Sequence, residues 1–210
     1  MIKYELKGLY LVVDPCIPGI LPKLEQAIKG GVDMVQIWNH WLPGHQKEEF
    51  IHTVCDMAHQ HNIPVLIHEA WEWLSRTPID GVHFDQIPAN WQTVKKEIDT
   101  SLITGLTCGN DLEKVRLAAE QQFSYISFCA LFPSESAGSC EIVLPETILK
   151  ARQITSIPIF ASGGIDHGNL DKVLPLGVDG VAVISGILKA RNPSIAAYQY
   201  RQVLAGFENQ

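Results

Sequence analysis

Between Ile157 and Leu188 the chain reads IPIFASGGIDHGNLDKVLPLGVDGVAVISGIL, and its glycines and serines stand where a phosphate could be held. The apolar run from Ile157 to Phe160 leads into Gly163-Gly164, where missing side chains let the backbone approach a ligand. The run from Val181 to Ile184 leads into Ser185-Gly186, a short helical opening whose unpaired amides favour an anion. Either turn alone is ordinary loop geometry; two at this spacing point to a ligand. A second group of reactive residues, His40, His68, Glu69, His83 and Asp85, lies at or just past the ends of apolar runs. Imidazoles with carboxylates suit zinc, iron or manganese, although no HxH or HExxH spacing supports a site locally. Glu69, His68 and His83 are the metal-ligand candidates, with His83 as a hydrogen-bonded core histidine the competing reading.

Positioning these residues requires a repeating scaffold. Eight short apolar runs recur: Gly8 to Val13, Met34 to Ile37, Pro64 to Ile67, Gly81 to Phe84, Leu102 to Leu106, Tyr125 to Phe128, Ile157 to Phe160 and Val181 to Ile184. Between most of them lie helical periodicities such as Leu21-Leu24-Ala27-Ile28 and Phe50-Val54-Met57-Ala58. Asn110-Asp111-Leu112-Glu113 reads as a helix start, and Pro145 and Pro193 suit first turns. Parallel strands with crossover helices follow, and residues 1–210 are expected to form a single α/β domain, a (β/α)₈ TIM barrel. The third crossover, Ala70 to Thr77, is short and predicts a helix of a turn or two. Barrel chemistry sits at the C-terminal ends of strands. That selects Asp14, Gln36, Trp38, His40, His68, Glu69, His83, Asp85, Gln86, Thr107, Cys108, Cys129, Ser134, Ser136 and the two glycine turns.

Composition narrows the partners. The chain has 210 residues, 46% hydrophobic and 19% charged, enough for one full core. A net charge of −7 and the lack of any basic run argue against nucleic acid and against a membrane surface. The N-terminus enters a strand pattern without a long apolar segment, so a cytoplasmic protein is expected. Five cysteines without CxxC spacing indicate neither a disulfide framework nor a thiolate zinc site.

Six blocks carry a resemblance that runs nearly end to end: GGVDMVQIW, DGVHFDQ, ITGLT, YISFCALFPSES, IPIFASGGI and DGVAVISGI. In this order and spacing they resemble the thiamine phosphate synthase and thiazole tautomerase (TenI-like) superfamily. The resemblance implies thiamine biosynthesis or salvage, a phosphorylated heterocycle as small-molecule partner, magnesium as cofactor, and a homo-oligomer as a common state. It implies either a transferase that joins a pyrimidine methyl diphosphate to a thiazole phosphate or an isomerase of the thiazole.

On the thiazole-phosphate side the resemblance assigns Ser134, Ser136, Gly163, Gly164, Ser185 and Gly186 to ligand binding, with serine hydroxyls donating to phosphate oxygens. Gln36 and Thr107 match further substrate positions. On the diphosphate side the chain departs. Trp38 and His40 stand where the synthases carry Arg and Lys, and His68-Glu69 replaces an Asn-Asp pair. Pro88 stands for a metal aspartate and Ala137 for a lysine. A departing diphosphate needs such charge, so these changes count against the ordinary synthase reaction and leave magnesium with few ligands. The alternatives are a thiazole tautomerase-like isomerase or a non-catalytic binder of a phosphorylated ligand. Tautomerases place a histidine where this chain has Cys129, so Cys129, Cys108, His83 or Glu69 would have to carry protons.

Overall fold

A computed structural model describes residues 4–98, 101–134 and 141–208. Eight parallel strands pair in sequence order: β1 (Gly8–Val13), β2 (Met34–Ile37), β3 (Val65–His68), β4 (Gly81–Phe84), β5 (Ile103–Thr107), β6 (Tyr125–Phe128), β7 (Ile159–Ser162) and β8 (Gly180–Val183). β8 returns to pair with β1, closing a (β/α)₈ barrel. Each apolar run becomes a strand within two residues of its expected limits. The run at Ile157 starts late because Pro158 has no amide for the ladder.

The helices are α1 (Ile20–Lys29), α2 (Lys47–His59), α3 (Trp91–Glu97), α4 (Leu112–Glu120), α5 (Pro145–Ile154), α6 (Leu170–Val173), α7 (Ser185–Leu188) and α8 (Pro193–Glu208). Asp111 caps α4 by accepting from the amides of Glu113 and Lys114, and Pro145 and Pro193 open α5 and α8. The third crossover is a single 3₁₀ helix, Trp71–Ser75, as its length predicts. The seventh is shortened too: α6 has four residues and passes into a 3₁₀ turn, Leu174–Leu176, at Pro175. No helix of the described residues is long and apolar enough to cross a membrane.

Strand side chains alternate between two cores. Outward residues such as Leu9, Leu11, Val35, Ile67, Val82 and Phe128 pack under the helices. Inward residues Tyr10, Met34, Leu66, Ile103, Tyr125 and Phe160 fill the barrel. Above this plug the inward positions turn polar, with Gln36, His83, Thr107 and Ser127, so the plug becomes a floor beneath the C-terminal face.

The opposite end is closed by a repeated device. Asp33, just before β2, accepts the Leu9 amide of β1 at 2.8 Å and returns its own amide to the Leu9 carbonyl at 2.8 Å. Asp80 makes the same ring with Val65 of β3, and Asp179 with Ile159 of β7. Ser124 does so with Thr104 of β5 through its hydroxyl at 3.0 Å. Each carboxylate is also paired behind the ring: Asp33 with Arg201, Asp80 with His59, Asp179 with Arg152. Every odd strand is therefore clipped to its even successor by charge-assisted or hydroxyl bonds.

Candidate functional site

The polar layer opens into a cavity of about 720 Å³ at the C-terminal face. That volume falls in the range of about 300–1,000 Å³ usual for small-molecule sites. Of the residues expected from sequence, Gln36, His68, His83, Thr107, Cys129, Ser134, Gly163, Gly164, Ser185 and Gly186 line it. Ser136 and Ala137 lie outside the described residues. Glu69 is not in the wall.

The two phosphate-type turns open onto the same space. Gly163 and Gly164 have φ of +85° and +66°, a conformation that favours glycine. A Cβ on Gly163 would meet the Ala130 Cβ at 2.5 Å, and one on Gly164 the Phe132 carbonyl oxygen at 2.6 Å. Their carbonyls turn into the loop, where Phe132 N and Asn169 Nδ2 donate to them. α7 has only four residues, so its dipole is small. Its first residues, Ser185 and Gly186, bring backbone amides and a hydroxyl to the wall instead.

His83 lies at the centre of the floor, 6% exposed. Its Nδ1 is 2.8 Å from the Tyr125 hydroxyl and its Nε2 2.9 Å from Thr107 Oγ1. The Tyr125 hydroxyl is 2.9 Å from that of Tyr10, which donates to Gln36 Oε1 at 2.5 Å. Gly105 makes room, since a Cβ there would meet His83 Nδ1 at 2.5 Å. Burial, with His68 nearby, lowers the His83 pKa to about 3, against the opposing pull of Asp85. His83 is thus a neutral ring with both nitrogens in hydrogen bonds of the floor, and it stands outside the group of His68, Glu69 and Asp85.

The remaining imidazoles and carboxylates separate into two clusters rather than the single one expected. His68, Glu69 and Asp85 each offer a ligand atom within 4.8 Å of the others. His40 instead joins Asp14 and Cys16 on the far side of Trp38. In the first cluster His68 Nε2 lies 3.0 Å from Asp85 Oδ2, and this partner holds the Asp85 carboxyl below its usual range. Glu69, at φ +63°, accepts the Asp85 amide at 2.5 Å. Magnesium demands oxygen ligands in near-octahedral array. Here one donor is an imidazole and both carboxylates are already engaged, so the cluster does not fit magnesium.

Cys129 stands beside the first turn, its sulfur 3.4 Å from where a Gly163 Cβ would be. Cys108 is buried and its thiol pushed up to about 12, so it acts as packing, as does Cys55 in α2. Trp38 lines the cavity, whereas Trp41 packs edge-on to Phe50. The sequence reading missed Lys114, which reaches the wall from the first turn of α4. Its signal was available: an Asp111 cap just past a strand end aims the next turn at the barrel mouth. Lys114 is the one Lys or Arg among the described lining residues, which also include the carboxylates Asp85, Glu141 and Asp166.

Comparison with known proteins agrees with this architecture. The chain shares 32% identity over 199 residues with the thiamine-phosphate synthase of Hydrogenobaculum sp. (strain Y04AAS1), covering 93% of this chain and 92% of that one. It shares 30% over 207 residues with the thiamine-phosphate synthase of Clostridium tetani (strain Massachusetts / E88), covering 96% of each. The solved thiamine phosphate pyrophosphorylase from Pyrococcus furiosus superposes with a TM-score of 0.83 over 95% of this chain and 96% of its own, at 24% identity. Orotidine 5'-phosphate decarboxylase from Pyrococcus horikoshii OT3, at 14% identity and a TM-score of 0.70 over 94% of this chain and 99% of its own, shows how widely the barrel is shared. The family profile described as thiamine monophosphate synthase matches residues 9–187, all eight strands but the first residue of β1, and the chain belongs to that family.

Proposed function

We propose that this protein binds a phosphorylated thiazole in the barrel-mouth cavity and takes part in thiamine biosynthesis or salvage, with little of the ordinary synthase turnover. The observation that carries the reading is the convergence of Gly163-Gly164 and Ser185-Gly186 on one cavity. Their amides and the Ser185 and Ser134 hydroxyls suit a phosphate dianion. Gln36 and Thr107 in the floor and Trp38 in the lining suit a planar ring with polar substituents.

The doubt about synthase turnover is electrostatic. Expelling pyrophosphate builds negative charge, and each missing stabilising donor costs about 10²–10³ in rate. Lys114 alone opposes three carboxylates among the described lining residues, and His68, Glu69 and Asp85 do not replace the family's magnesium site. A second reading, isomerisation of the bound thiazole, is favoured by Cys129, a thiol on the cavity wall beside the phosphate turn.

Calorimetric titration with thiazole phosphate tests binding, and formation of thiamine phosphate from the pyrimidine diphosphate with magnesium tests turnover. Saturable binding with turnover at least about a hundredfold below that of the Hydrogenobaculum relative is expected. An absence of heat and of thermal shift would sink the binding claim. Turnover equal to the relative's would sink the claim that the charge losses matter.

A further inference from the structure

We propose that Asp14, Cys16 and His40 form a second metal site, selective for zinc-type transition ions, beside the cavity at the ends of β1 and β2. Asp14 follows β1 directly, Cys16 lies in the next turn, and His40 comes three residues after β2. The two strand ends are held in register, Val13 opposite Ile37, and Trp38 N donates to the Val13 carbonyl at 2.9 Å. That pairing brings residues from two different loops together.

The site is largely formed. Asp14 Oδ1 lies 3.1 Å from His40 Nδ1 and accepts the Cys16 amide at 2.9 Å. The Cys16 thiol donates to the His40 carbonyl oxygen at 3.2 Å. One oxygen, one sulfur and one nitrogen therefore lie within 4.8 Å of one another. Tetrahedral zinc, with bonds of about 2.0–2.3 Å, needs its ligand atoms about 3.3–3.8 Å apart. The 52% exposed His40 ring and the half-buried Cys16 side chain reach that spacing by rotating about their own bonds, while the Cys16 amide steadies Asp14.

The donor set decides the ion. Thiolate and imidazole select against magnesium and calcium, and three protein ligands leave a fourth position for water. Loading is a simple exchange: the thiol loses its proton to solvent as sulfur bonds the metal, with no change of oxidation state. The His68 cluster lacks sulfur, which makes the two sites separable by experiment. The Trp38 ring, 5.0 Å from the His40 ring, lines the cavity, so a bound dication would add positive charge one ring away from a wall otherwise supplied only by Lys114 among Lys and Arg of the described residues. This claim does not depend on the identity of the cavity ligand.

Cobalt(II) titration of untagged, metal-stripped full-length protein tests it. One equivalent should produce visible tetrahedral bands and a near-ultraviolet thiolate-to-cobalt absorption, both removed by stoichiometric zinc. Cys16→Ser should abolish the thiolate band and weaken zinc binding by about a hundredfold, whereas the double variant His68→Asn, Glu69→Gln should leave both unchanged. Thermal melts of each variant, without metal, confirm that it is folded. A thiolate band that survives Cys16→Ser, a signal that follows the His68 variant, or no band at one equivalent would each overturn the proposal.

Discussion

His83 Nδ1 and the Tyr125 hydroxyl are 2.8 Å apart in the buried centre of the barrel, one link of a hydrogen-bonded chain that runs through Tyr10 to Gln36. Tyr10 spends its hydrogen on Gln36 Oε1, so Tyr10 accepts from Tyr125, and Tyr125 accepts from His83. His83 is therefore the Nδ1–H tautomer, its bare Nε2 facing the hydroxyls of Thr107 and Ser127. Gln36, its oxygen committed, offers its amide hydrogens to the cavity. Nitrogen-15 NMR should show His83 with a protonated Nδ1 and a bare Nε2. Tyr125→Phe should cost about 1–3 kcal/mol in urea unfolding, because it strands two buried partners.

The same ring sets a dependence on pH. His83 faces His68, Asp85, Tyr125, Thr107 and Ser127, and burial holds its folded pKa at about 3, below the ordinary histidine value of 6.5. Between these values the unfolded chain takes up a proton that the folded chain refuses. Stability is thus full above about 6.5 and falls as the pH drops toward 3, by up to about 1.4 kcal/mol per unit from this group. His83→Gln should flatten the slope between pH 6 and 4 in denaturation curves. A slope as steep as that of the unaltered protein would assign the effect elsewhere. Asp85, lowered by His68, adds to acid instability only below its own unfolded range.

The glycine turn should separate shape from chemistry. Gly164→Ala places a methyl against the Phe132 carbonyl in a left-handed backbone, costing about 1–3 kcal/mol of stability, and it should abolish thiazole phosphate binding. Ser185→Ala removes one hydroxyl and should weaken binding about five- to tenfold with an unchanged melt. Calorimetry and melting on both variants check this contrast.

Lys114→Met should weaken inorganic pyrophosphate about tenfold while altering thiazole phosphate less, since Lys114 is the one Lys or Arg of the described cavity lining and the glycine and serine turns already supply donors for the single phosphate. Equal losses for both ligands would place the ammonium at the thiazole phosphate instead.

Much of this was legible in the residues. The eight runs, the Asp111 cap, the two prolines and the shortened third crossover all follow local rules, and the structure follows them. The cavity wall was legible because barrel chemistry collects at strand ends. What could not be read was direction. His83 and His68 are register partners on adjacent strands, yet the His83 ring nitrogens bond Tyr125 and Thr107 in the floor while His68 bonds Asp85. Which neighbour His40 meets depends on two loop paths, so its grouping with Asp14 and Cys16 has no trace in spacing.

The aspartate and serine clips give the barrel a grain. Each ties an odd strand to the even strand after it, while the seams from even to odd carry backbone bonds and no such side-chain ring among the described residues. The molecule is divisible by two and by four more naturally than by eight. A cut between β4 and β5 leaves two pairs intact in each half, and a cut between β3 and β4 severs one. Half-barrels joined across the first seam retain their own bases, so the mouth of one half can be exchanged without loosening the other.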